Sequence, residues 1–92
     1  MALIIKEKNG EFFVEGVINS TTATNFQFHF EYILKTSEST TINIEGITEI
    51  DANGMRAIKA IYFNALMENK PFYIVGNGCK EIYDELLYAA VA

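Results

Sequence analysis

Residues 45–54 hold the chain's densest group of side chains able to do chemistry: Glu45, Glu49, Asp51 and Asn53. Paired carboxylates can act as general acid and base, but only in a pocket that drives their pKa values apart, and spacing alone does not build one. His29 and Cys79 are the only histidine and cysteine. No second histidine or cysteine lies at ligand spacing, so neither a zinc site nor a histidine-based triad can be assembled, and His29 reads as a surface residue. Cys79 follows Gly76-Asn77-Gly78 at the start of a helical pattern, where the helix dipole can lower a thiol pKa; a packed thiol is the plainer reading. The same Gly-x-Gly lacks the third glycine and the Lys-Ser/Thr pair of a phosphate loop. No catalytic constellation, metal site or cofactor is therefore expected. An enzyme would need Asp51 as base and a small ligand near Asn53.

These residues have to be positioned by a small set of elements. Leu3 to Lys6 and Phe12 to Glu15 are β-prone runs on either side of Asn9-Gly10, a pair suited to a tight hairpin turn. Ser20, Thr21 and Thr22 offer N-cap hydroxyls ahead of a helix over residues 21–35, in which Ala23, Phe26, Phe30, Ile33 and Leu34 recur at helical spacing. Phe28 and Tyr32 point away from that face, beside Asn25. A strand over residues 41–45 carries Ile42 and Ile44 and ends near Gly46. A second helix over residues 53–69 sets Met55, Ile58, Ile61, Tyr62 and Ala65 toward a core. Asp51 and Asn53 suit its N-terminus, and Gly54 suits a close backbone approach there. Beyond Pro71 come a buried-strand pattern over residues 72–75 and a last helix carrying Ile82, Leu86 and Ala90, with Lys80, Glu81, Asp84 and Glu85 on its solvated face.

The order strand, strand, helix, strand, helix, strand, helix implies an α/β fold: a mainly parallel sheet of four to five strands, an N-terminal hairpin and about three helices. At 92 residues, half of them hydrophobic, residues 1–92 are expected to form one compact domain. A net charge of −5 with 7 Lys and Arg argues against nucleic acid and anionic membrane surfaces. No apolar run is long enough for a signal peptide or a membrane span, so the cytoplasm is the expected compartment and direct membrane insertion is not expected.

The stretch Ile42-Asn43-Ile44-Glu45-Gly46-Ile47-Thr48-Glu49-Ile50-Asp51-Ala52-Asn53-Gly54-Met55 resembles the signature of STAS domains, in which a strand leads into Asp-Ser-Ser-Gly at the start of a helix. Gly16-Val17-Ile18-Asn19 followed by Ala23 is similar to the family's Gly-x-Leu-Asp segment, and Phe72-Tyr73-Ile74-Val75-Gly76 to its fourth strand. The match covers most of the chain. The resemblance implies the STAS fold and an anti-sigma factor antagonist, a regulatory protein that binds an anti-sigma factor, often a serine kinase, and is switched by phosphorylation of a Ser in that turn. Here Ala52 and Asn53 stand at the two Ser positions, and an amide offers no hydroxyl to phosphorylate. Asn19 and Asn43 likewise stand where the family commonly has Asp. If these asparagines surround one pocket, it has lost carboxylate charge and kept hydrogen-bonding capacity.

The expectation is a protein-binding module not gated at the usual turn. Its partner surface would comprise Asn19, Asp51, Ala52, Asn53 and Gly54, continued along the second helix by Arg56, Ala60, Phe63 and Met67, an outward stripe at spacings of three and four. The partner would be an anti-sigma factor or serine-kinase-like regulator, or, in the alternative, a lipid-transporter ATPase to which the chain is an accessory subunit. A homodimer is left open.

Overall fold

The computed structural model describes residues 3–91, and side chains as far as Leu86. Four strands and three helices follow one another as β1 (Leu3–Lys8), β2 (Glu11–Ile18), α1 (Ala23–Thr36), β3 (Thr40–Ile50), α2 (Ala52–Met67), β4 (Phe72–Val75) and α3 (Lys80–Val91). Ala90, expected on the core face of the last helix, lies outside the described side chains.

The strands form one sheet in the order β1-β2-β3-β4. Asn9 and Gly10 take the positive φ values of a tight turn, so β1 folds back antiparallel on β2. The pairs β2–β3 and β3–β4 are parallel, with α1 and α2 as their crossovers. The two helices touch each other, which puts both on the same face of the sheet. Between them, the Glu31 carboxylate accepts from the Asn64 side chain at 2.8 Å and from Gln27 one turn earlier at 2.9 Å. The core lies between helices and sheet, with Val14, Ile18, Phe26, Phe30, Ile44, Ile47, Ile61 and Ile82 fully buried. The other face of the sheet is open, leaving Ile4, Tyr73 and Val75 exposed.

β3 does not end near Gly46 but runs on to Ile50. A side chain at Gly46 would strike Glu15 Cγ at 2.7 Å, so the glycine permits a close approach to β2 and does not stop the strand. Two register shifts, between Phe13 and Glu15 and between Gly16 and Val17, let β3 carry extra residues against β2. In α2 the inward positions are Gly54, Ala57, Ile58, Ile61 and Ala65. Met55 and Tyr62, expected on that face, are only partly buried on its flank, because the small Gly54 and Ala57 bring the helix close to the sheet. Among the described residues no helix is long and apolar enough to cross a membrane.

Candidate functional site

The carboxyl ends of β2 and β3 and the starts of α1 and α2 meet at one end of the sheet, where loops of parallel α/β sheets commonly gather ligands or partners. The backbone ties the two connections together: Asp51 N–H donates to the Ile18 carbonyl at 3.1 Å, and Gly54 packs so closely that an added Cβ would lie 2.6 Å from that same oxygen. After Ile18, the Asn19 side chain accepts from Thr21 N–H at 2.9 Å, closing an Asx turn. Thr22 is the N-cap of α1 by position, yet its hydroxyl makes no cap bond. It turns back, accepting from Asn19 N–H and donating to the Val17 carbonyl.

Asp51 caps α2 as its type and position predict, its carboxylate accepting from Gly54 N–H at 3.0 Å. That bond, above all, holds its pKa below the ordinary 3.8, with further bonds from Asn53 and Ser20 acting the same way. Asn53 is not a cap. Its oxygen accepts from the Arg56 guanidinium one turn on.

The expected site residues divide over three hollows. Asn19 and Asp51 front an open cleft of about 540 Å³, together with Glu49, Cys79 and Glu81. On the other side of the first turn of α2, Asn53, Arg56 and Ala60 line a second hollow of about 480 Å³ against Ser20, Thr24 and Gln27. Ala52 is exposed and, with Asp51, lines a third, shallower hollow of about 360 Å³ against Met55, Glu81 and Asp84, while Gly54 is buried. Farther along α2, Phe63 and Met67 are exposed, at 45% and 86%. Phe28 and Tyr32 are exposed on α1.

Asn43 does not join this group. It sits on the open face of the sheet, where its amide donates to Glu11 at 2.8 Å and its oxygen accepts from Glu45 N–H. Ile50 lies seven residues farther along β3, a span of about 23 Å, so Asn19, Asn43 and Asn53 share no single pocket. Thr24 and Gln27 of the second hollow went unmarked in the sequence, and Glu81 of the first was read only as part of a solvated helix face, because they come from elements distant along the chain. The one local signal was Ser20 beside Asn19.

Cys79 is buried and its thiol faces the Glu81 carboxylate at 3.5 Å. Burial, then the bond to Glu81 and its charge, push its pKa up, which makes it a packed thiol and not an activated nucleophile. His29 is exposed and meets Phe12 and Phe30 edge-on.

No protein-family model and no curated protein matches this sequence. Solved structures do match. An anti-sigma factor antagonist from Mycobacterium paratuberculosis superposes with a TM-score of 0.64 at 19% identity, over 84% of this chain and 68% of its own. The anti-sigma factor antagonist SpoIIAA in its unphosphorylated form superposes with a TM-score of 0.67 at 7% identity, over 87% of this chain and 77% of its own. This chain has the anti-sigma factor antagonist fold. A third match, Mglu, superposes with a TM-score of 0.65 at 14% identity; there 80% of this chain corresponds to 19% of a much longer one. Identities this low carry the fold alone, and on that fold the three hollows surround the first turn of α2.

Proposed function

We propose that this chain is a protein-binding regulatory module of the anti-sigma factor antagonist kind, working in the cytoplasm without a cofactor and without catalysis. Its partner is an anti-sigma factor or serine-kinase-like regulator, held by residues 49–54 and the outward stripe of α2. The observation that carries this reading is the stripe itself: Arg56, Ala60, Phe63 and Met67 run outward from a capped first turn, with Phe63 and Met67 exposed. Large exposed apolar side chains in line are what a docking partner buries. The carboxylates of Glu49, Asp51 and Glu81 at the cleft favour a partner that brings positive charge. Asn53 at the position of the family's Ser leaves the turn without a phosphate acceptor, so binding here is constitutive at that turn.

The missing acceptor also favours a second reading, the accessory subunit of an ABC-type lipid-transporter ATPase, in which no phosphorylation switch is needed. Affinity capture of the tagged chain from its native cells, with the intact mass of the bait, separates the two. An anti-sigma factor or kinase-like ATPase with an unmodified bait supports the first reading, transporter subunits support the second, and stoichiometric phosphate on the bait contradicts the unswitched module. With the captured partner, Phe63→Asp is expected to weaken binding at least tenfold while circular dichroism and melting stay near wild type. A folded variant with full affinity removes the stripe from the interface.

A further inference from the structure

β4 is an edge strand of the sheet and carries no charge: Phe72, Tyr73, Ile74 and Val75. Thr40 N–H donates to the Pro71 carbonyl, so the odd-numbered residues of β4 turn their backbone groups to β3 and the even-numbered ones turn theirs outward. Outward carbonyls on an edge are a template for another strand. The opposite edge, β1, is guarded by Lys6, Glu7 and Lys8. β4 has a different guard. The Tyr83 hydroxyl of α3 donates to the Gly76 carbonyl at 2.6 Å and lies 3.4 Å from that of Ile74, two of the outward acceptors.

We infer that the β4 edge is complementary to itself in a second copy of this chain, and that Tyr83 keeps it closed by occupying the carbonyls the second copy would use. An antiparallel pair centred on Ile74 matches the outward backbone groups of Ile74 in the two copies with one another and brings the Phe72 N–H of each copy to the Gly76 carbonyl of the other. It sets the exposed Tyr73 of each copy against the exposed Val75 of the other on the open face, an aromatic and β-branched pair of the kind that stabilises sheets. In a chain of net charge −5, this strand brings no charged side chain of its own between two copies, and the Glu45 carboxylate at its end is engaged by the Asn77 N–H at 2.9 Å. Tyr83 rides on α3, so lifting that helix uncovers the edge.

Sedimentation velocity over a range of concentrations, on wild type, Tyr83→Phe and Tyr83→Ala, tests the guard. Wild type is expected to be monomeric and Tyr83→Phe to dimerise about tenfold more tightly or better, because its carbonyls exchange water for backbone donors. In that dimer the Ile74 amide, which faces outward in the monomer, becomes protected from hydrogen exchange. Folded Phe and Ala variants that stay monomeric overturn the inference, as does a dimer in which Ile74 exchanges as fast as in the monomer, or a wild type that already pairs through this edge. If the Ala variant fails to fold, the near-isosteric Phe variant decides.

Discussion

Asp51 and Asn53 lie two residues apart and do different work. Asp51 satisfies the free Gly54 N–H, and that bond favours its ionised form, placing its folded-state pKa below the ordinary 3.8. A depressed carboxylate pKa adds stability that is present above the unfolded-state value and lost as pH falls through the folded-state value. Asp51→Asn keeps a capping oxygen without the titration. Wild type is therefore expected to melt higher than Asp51→Asn at about pH 6, and the gap is expected to narrow as pH falls below 3.8, as read by thermal unfolding of both proteins. The cap was legible in the sequence, because an aspartate ahead of an apolar helical pattern has few other uses. The partner of Asn53 was not, since Arg56 could as easily have reached solvent. Nor was the separation of Asn43 from Asn19 and Asn53, which depends on how far β3 runs.

Glycine within α2 is the clearest case of an element overriding a propensity. Alanine is favoured over glycine in a helix interior by about 1 kcal/mol, so Gly54→Ala should stabilise an isolated helix. Here the new Cβ would stand 2.6 Å from the Ile18 carbonyl and 2.7 Å from Ile50 Cγ1, atoms fixed in the two central strands. Overpacking of this kind costs roughly 1–3 kcal/mol, which exceeds the gain. Gly54→Ala is expected to lower the stability by up to about 2 kcal/mol in denaturant unfolding, where a rise would show that the strands can yield. The elements themselves were readable from periodicity, and β4 ends where the pattern ends. β3 was cut short because Gly46 looks like a terminator on its own, and only the chain of β2 alongside shows that it is a contact point. The inward face of α2 was displaced for a related reason: small residues decide how near a helix may come, while pattern reading gives weight to large ones.

At the scale of the molecule, the central strands β2 and β3 are sandwiched between neighbours, whereas β1 and β4 each have a free side. Buried, doubly paired strands open last, and edges open by smaller fluctuations. Native-state hydrogen exchange is expected to find the slowest amides in the middle of β2 and β3, around Val14 and Ile44, with β1 and α3 exchanging at least tenfold faster. Equal protection across all four strands would mean that the molecule opens only as a whole. The α/β order and the mainly parallel sheet were evident from alternating patterns, and the likeness to the STAS fold adds the arrangement in space. The hollows were beyond reach, because each is closed by residues that meet only after the crossovers are made.

The Ile18 carbonyl has a further consequence. It receives the Asp51 N–H and lies directly under Gly54, so the segment leaving β2 and the first turn of α2 are held against one oxygen atom. Loops joined in this way cannot adjust separately to an incoming molecule. Whatever docks on them meets a surface already in its final form, so little ordering entropy is lost on the side of this chain. Selectivity then lies in the partner's fit to a fixed shape. A binding partner that must fold or reshape itself bears that ordering cost alone.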